Sequence, residues 1–305
     1  MRARIWGCRG SLAAPGADTV RYGGNTSCVE VRLDSGHTIV LDAGTGMRPL
    51  GVEMQRDLPS DLHILLTHLH LDHIQGLVFF APCFRPQTEI VIWGPASPEA
   101  SLRDRIARYI SAPLSPVEVR ELPCDVSFRH TPETEWEIGP ARIRAASVSH
   151  RGPTLGYRID DGDSSLTYIP DHEPALGADL DELDEDWISG FELARDTSLL
   201  IHDGQYSDAE YPDHIGWGHS ATSHALSFAR RTGAERTVLF HPDPLHSDTF
   251  LDGLKAEAQQ GWASLGGVGD AIGIGAEGDE HQLPPRPAGG PIATAVPAPA
   301  PSPAV

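Results

Sequence analysis

An α/β fold is expected, with strand layers covered by helices on both sides. Three observations predict it. Short runs such as ILL at 64–66, LLI at 199–201 and VLF at 238–240 are apolar on successive residues, the pattern of strands buried on both faces. Two intervening segments carry apolar residues at helical spacing. A length of 305 residues, 40 % of them hydrophobic, supports one large core or two ordinary ones without disulfide staples.

In chain order, the β-type runs are Cys28–Leu33, Thr38–Leu41, His63–Leu66, Ile90–Trp93, Ile143–Val148, Leu155–Ile159, Leu166–Ile169, Leu199–His202 and Thr237–Phe240. One helix is expected over Pro98–Ile110, after Ser97, with Leu102, Ile106 and Ile110 at four-residue steps. A second is expected over Ala221–Arg231, with Ser220 as N-cap, Gly233 as stop, and Ala221, Ala225, Leu226 and Ala229 on one stripe. The acidic run Asp179–Trp187 reads as a solvated helix face. Residues 1–277 form the expected folded unit. Residues 278–305, rich in Pro, Ala and Gly, carry too little apolar bulk to offset their ordering entropy, so a disordered tail is expected.

The charge balance, 23 Lys+Arg against 43 Asp+Glu, gives a net −20 and argues against nucleic-acid binding. Cys8, Cys28, Cys83 and Cys124 form no C-x-x-C pair, so neither a disulfide framework nor a thiolate zinc site is expected. No stretch has the run of apolar residues that a membrane span needs, and the amino terminus does not read as a signal peptide. A cytoplasmic location follows as the expectation. Neither a constant βαβ repeat nor a nucleotide-binding glycine fingerprint is present, and LDAGTG at 41–46 lacks the Lys-Ser/Thr end of a phosphate-binding loop.

The chemistry concentrates in HILLTHLHLDHIQG, residues 63–76. His68, His70, Asp72 and His73 crowd six positions directly after an apolar strand. At this chain's residue frequencies the pattern H-x-H-x-acid-H would arise by chance in roughly half a per cent of such chains, so it is a specific signal. His68 and His70, two apart, project to one side of an extended backbone. The chain must then turn, and Asp72 and His73 can address a second ion. Imidazole nitrogen with carboxylate oxygen suits zinc, and manganese or iron would also fit. Two metals need more ligands. His150, Asp171 and His241 each follow a β-type run and are the candidates.

These motifs resemble the metallo-β-lactamase fold superfamily, whose T-H-x-H-x-D-H signature stands here as Thr67–His73. The opening WGCRGS, RYGGNTSCVEV, LDAGTG around Asp42, YIPD, GWGHSA and LFHPDPLHSD extend the resemblance over nearly all of the first 250 residues. The pattern is similar to the branch of cyclic phosphodiesterases, including those opening phosphoribosyl cyclic phosphates, and more distantly to ribonuclease Z. The resemblance implies a four-layer αββα sandwich with metals at one edge of two sheets. It further implies two divalent ions, one held by His68, His70 and His150, the other by Asp72, His73 and His241, with Asp171 bridging. A hydroxide between them would leave about one net positive charge for an anionic substrate. His219, at the mouth of the second helix, resembles the proton donor of that branch, with a capping role as the alternative. Asp42, His202, Asp203 and His246 could orient ligands or be satisfied polar groups, and Asn25, Thr26 and Ser27 could face substrate or build a turn.

One departure stands out: family members often carry two consecutive histidines before the Asp-Pro, whereas the second position here is Pro242. Bacterial ribonuclease Z inserts a tRNA-gripping arm between the third histidine and the bridging aspartate. Here 21 positions separate His150 from Asp171, enough for two strands and a turn, so tRNA is not expected as a partner. A small phosphodiester is, either a 3′,5′-cyclic nucleotide or a ribosyl 1,2-cyclic phosphate; a second copy of the chain is left open as a partner. The rival readings are a lactone or β-lactam hydrolase and a non-catalytic metal-binding regulatory module.

Overall fold

The structure, a computed structural model, describes residues 1–59, 61–267 and 270–284. The strands, in chain order, are β1 (Arg2–Gly7), β2 (Cys28–Arg32), β3 (Thr38–Leu41), β4 (Asp61–Leu65), β5 (Glu89–Gly94), β6 (Asp125–His130), β7 (Trp136–Ile138), β8 (Ala141–Ser147), β9 (Leu155–Asp161), β10 (Ser164–Ile169), β11 (Leu199–Asp203), β12 (Thr237–Phe240), β13 (Ile272–Ile274) and β14 (Glu280–Gln282). The helices are α1 (Met47–Met54), α2 (Leu71–Ile74), α3 (Leu102–Tyr109), α4 (Phe191–Ala194), α5 (Thr222–Thr232) and α6 (Asp248–Ser264).

The strands make two seven-stranded mixed sheets, ordered β14-β1-β2-β3-β4-β5-β6 and β13-β12-β11-β10-β9-β8-β7. Strands β3 to β6 run parallel, as do β10 to β13. A common core joins the sheets face to face: Ile5, Val31, Ile39 and Leu41 of the first pack with Ile143, Tyr157, Ile159, Tyr168 and Phe240 of the second. The outer face of the first sheet meets α1 and α3 through Val40, Ile64, Met47, Leu50 and Ile106. That of the second meets α4, α5 and α6 through Leu200, Leu239, Phe228 and Leu254. Strands sealed on both sides must be apolar on both faces, and β3, β10, β11 and β12 are buried at every residue. The result is the expected αββα sandwich.

All nine expected strands form. The five others are edge or near-edge segments whose mixed composition gives no continuous apolar run. The strand β14 corrects the expected boundary at residue 277: Arg2, Ala3 and Arg4 of β1 pair with Gln282, His281 and Glu280, and Leu283 is buried in the intersheet core. Pairing with an otherwise open edge holds a segment whose own hydrophobicity is low. The rest of the expected tail, 285–305, lies outside the described residues. Both expected helices start later than composition suggested. Ser101 rather than Ser97 caps α3, its hydroxyl accepting from the Asp104 amide. Ala221 rather than Ser220 stands at the N-cap of α5, because the Ser220 hydroxyl donates instead to the His172 carbonyl. The acidic run is two 3-10 turns, Leu180–Glu182 and Glu185–Trp187, with Leu180 buried. All four cysteines are free and buried. Among the described residues no helix is long and apolar enough to cross a membrane.

Candidate metal centre

The carboxyl ends of the parallel strands in both sheets open at one edge, and every ligand candidate sits there. His68 and His70 follow β4 in an extended stretch that puts their rings 4.3 Å apart, and Asp72 and His73 ride on α2. His150 follows β8, Asp171 follows β10, and His241 directly follows β12. These seven residues converge, with donor atoms of His68, His70, His150 and Asp171 forming one group and those of Asp72, His73 and His241 another. The Asp171 carboxylate stands between them. Its Oδ2 lies 3.6 Å from His68 Nε2 and 3.5 Å from His150 Nε2, while its Oδ1 lies 3.1 Å from His73 Nε2 and 3.4 Å from His241 Nε2.

Hydrogen bonds on the far side of the rings fix which nitrogen faces inward. The fully buried Asp42 is the hub. It accepts from the Thr67 amide and hydroxyl, from the Tyr168 hydroxyl at 3.0 Å and from His73 Nδ1 at 2.8 Å. Because the Thr67 hydroxyl spends its proton on Asp42, it accepts from His68 Nδ1 at 3.0 Å. His150 Nδ1 donates to the Gly218 carbonyl at 2.7 Å. The lone pairs on the Nε2 atoms of His68 and His150 therefore point at Asp171. Asp42 and His241 both have positive φ, 56° and 65°, a strained backbone for residues with a Cβ. Gly218, at φ 91°, is held to glycine for two reasons, since a Cβ there would also meet His150 Nδ1 at 2.5 Å.

Electrostatics agree with this arrangement. Burial, reinforced by neighbouring imidazoles, holds His68 well below its ordinary pKa, and burial also lowers His70 and His150, so these rings are neutral. Burial pushes the Asp72 and Asp171 carboxyls up, but the histidines facing them outweigh it and both lie well below the usual carboxylate range. Burial likewise opposes protonation of His73, and the charges of Asp171, Asp72 and Asp42 overcome it. His68 Nε2 and Asp171 Oδ1 are buried without a hydrogen-bond partner. Unpartnered buried nitrogen and oxygen atoms in one cluster, whose groups among the described residues hold no cysteine, fit divalent metal ions.

His219 sits over this cluster. Its ring stacks on His241 with centroids 5.1 Å apart and meets His150 edge-on at 4.9 Å. Its Nδ1 donates to Asp203 Oδ2 at 2.6 Å. Asp203 is fully buried and also accepts from the amides of His172, Gln205 and Ser220. Burial disfavours a charged His219, but the Asp203 carboxylate outweighs it and raises the pKa.

Of the remaining sequence candidates, Asp42 and Asp203 contact site residues directly. His202 lies one layer down, between His172 and Phe228. His246 bonds Glu210, and Asn25 is tied through its amide and side chain to Glu277, so neither faces the cluster. Sequence reasoning missed Glu173, Tyr168 and Gln205. Glu173, fully buried, accepts from the Tyr211 hydroxyl and the amides of Gly216 and Gly218, and so anchors the loop carrying His219. Its position two residues after Asp171 was the available signal.

The family model described as beta-lactamase superfamily domain matches residues 37–242. A curated ribonuclease Z from Kineococcus radiotolerans is 24 % identical over 287 residues, covering 82 % of this chain and 88 % of that protein. The human tRNase Z short form superposes with a TM-score of 0.62 at 20 % identity, covering 93 % of this chain and all of that one. A diphosphatase of the PhnP family gives a TM-score of 0.62 at 15 % identity over 92 % of this chain and 97 % of that one. The family match spans more than half of the chain and encloses all seven converging histidines and aspartates, so this chain belongs to the β-lactamase superfamily as a metal-dependent hydrolase of the metallo-β-lactamase fold, similar to ribonuclease Z and the phosphodiesterases.

Proposed function

We propose that the chain hydrolyses a small, cyclic phosphodiester at a dinuclear centre, with His68, His70 and His150 holding one divalent ion, Asp72, His73 and His241 the other, and Asp171 both. Zinc suits this donor set best, and manganese or iron would fit it. Bound there, the ions would supply positive charge for the phosphoryl oxygens and an ionised water at neutral pH.

The observation that carries the reading is the His219–Asp203 pair standing against the cluster. An alkoxide leaving phosphorus needs a proton, and a buried carboxylate behind Nδ1 favours the charged form of His219 and leaves Nε2 as the donor. Asp42 holds His73, and the Gly218 carbonyl holds His150, so the ligand rings need not reorganise.

Two features favour a small substrate over tRNA. Only β9, β10 and the turn joining them lie between His150 and Asp171, and the net charge of −20 offers a polyanion little attraction. The test is a substrate panel of bis-p-nitrophenyl phosphate, cyclic nucleotides, a ribosyl cyclic phosphate, a lactone and a β-lactam, assayed with zinc and with manganese. Turnover of phosphodiesters above the carbonyl substrates is expected; preferential lactone or β-lactam hydrolysis would overturn the reading.

A further inference from the structure

A cavity of about 380 Å³ opens beside His219, lined by Arg151, Gln205, Trp217 and Leu245 among others. It lies on the side of the proton donor, which is where a departing alcohol must sit. Gln205 is 1 % exposed, and its Nε2 donates to the Ser11 hydroxyl at 3.0 Å while Oε1 is buried with no hydrogen-bond partner. Leaving a buried amide oxygen without a donor is costly, and a ligand donor would recover that cost. The backbone N–H of Gln205 is tied into the same frame as His219. One carboxylate, Asp203, accepts from the Gln205 amide and the Ser220 amide through Oδ1 and from His219 through Oδ2, so Gln205 and the proton donor share one anchor. The neighbouring Tyr206 amide donates to the Ser220 carbonyl and locks the two segments in register.

The rest of the cavity tells what kind of donor would reach Gln205. Trp217 is 52 % exposed and Leu245 91 % exposed, an unusual surplus of apolar surface at the mouth of a polar centre. Trp217 is held edge-on against His214 at 4.9 Å, and its loop is pinned by Glu173, so the indole is a fixed plate. Such a plate suits a flat ring. Arg151, whose guanidinium leans on the Gly216 carbonyl at 3.4 Å, is the basic side chain of the lining.

We propose that this cavity is the leaving-group pocket and that it takes a nucleobase, with the ring stacked on Trp217 and a ring N–H or amino group donated to Gln205 Oε1. The inference rests on the phosphodiesterase reading and narrows it: of a cyclic nucleotide and a base-free ribosyl cyclic phosphate, the cavity selects the nucleotide. Gln205 is then a specificity residue that keeps its acceptor unpaired for substrate, and Trp217 the surface that excludes water from the base.

The experiment compares wild type, Gln205→Leu and Trp217→Ala, loaded with zinc, on a set of cyclic nucleotides and on bis-p-nitrophenyl phosphate. The readout is the ratio of kcat/KM for the best nucleotide to that for bis-p-nitrophenyl phosphate. Each substitution should lower that ratio about tenfold or more, the effect in Trp217→Ala falling mainly on KM. Because Trp217 is half exposed, its replacement tests the proposal even if Gln205→Leu does not fold. An unchanged ratio in the folded variants, with wild-type phosphodiester cleavage intact, would overturn the nucleobase pocket alone. So would wild-type preference for the ribosyl cyclic phosphate over every nucleotide. Absence of phosphodiester cleavage by wild type would overturn both this proposal and the reading on which it rests.

Discussion

Asp203 Oδ2 and His219 Nδ1 stand 2.6 Å apart in a site where the carboxylate is fully buried and the imidazole nearly so. The pair fixes the tautomer and the charge of the ring together. Asp203→Asn keeps the shape but removes the negative charge that raises the His219 pKa. Cleavage of alkyl phosphodiesters should fall about 10²–10⁴-fold, whereas bis-p-nitrophenyl phosphate, whose leaving group needs little protonation, should lose much less. Kinetics on a series of leaving groups checks this. Equal losses across the series would remove His219 from the proton-donor role.

Asp171 divides its two oxygens between two sets of imidazoles. Asp171→Ala should therefore deplete both halves of the centre, not one. Elemental analysis of the purified variant is expected to find well under one metal equivalent per chain. Retention of two would show that the ligand groups close without the shared carboxylate.

How much of this was legible in the sequence follows from how far each feature is local. The convergence of the seven candidates was legible because His68, His70, Asp72 and His73 fall within six positions and the other three follow apolar strands. Central strands such as β3, β11 and β12 were readable because burial on both faces forces apolar runs, and the partly exposed ones such as β8 because enough apolar residues remain on the covered face. The strand β14 was not, since Glu280, His281 and Gln282 are polar and are held by pairing with β1. The long helix α6 was missed for a related reason: only Leu251, Leu254 and Ala258 of its apolar stripe are buried past its first residue. Glu173 and Gln205 gain their meaning from partners 38 or more residues away, Tyr211 and Gly216 for one and Ser11 for the other. No spacing rule reaches that far.

Glu173 accepts three hydrogen bonds, at 2.7, 2.8 and 2.8 Å, from the Tyr211 hydroxyl and the amides of Gly216 and Gly218. Glu173→Gln turns one acceptor oxygen into a donor that faces a donor. Loss of charge-assisted bonds should cost about 2–3 kcal/mol. For a chain of this size that predicts a drop in Tm of roughly 3–5 °C. Because the same loop carries Trp217 and His219, kcat should fall as well. Thermal unfolding followed with phosphodiester turnover checks both; an unshifted Tm would mean that the loop is anchored by other contacts.

The pair His172–His202 beneath the centre gives the protein an acid sensitivity of its own. His202 Nδ1 donates to the Asp203 carbonyl at 2.8 Å, so its Nε2 is the acceptor for His172 Nδ1 at 2.9 Å. Both rings are fully buried and Phe228 stacks on His202, leaving no room for a second proton. Burial drives the His202 pKa down to about 4, against about 6.5 in an unfolded chain. Below pH 6.5 the unfolded chain binds a proton that the folded chain refuses, so stability falls with pH from about 6.5 to about 4 and the loss is complete below that. The slope is on the order of 1 kcal/mol per pH unit. His202→Gln removes the titration. At pH 7 the variant should be less stable than wild type, since His172 loses a well-placed acceptor, but the gap should narrow steadily on acidification. Metal loss at low pH affects both proteins and cancels in the difference. Denaturant unfolding of the two at pH 7, 6, 5 and 4.5 measures it, and a pH-independent gap would mean that the buried pair accepts a proton without unfolding.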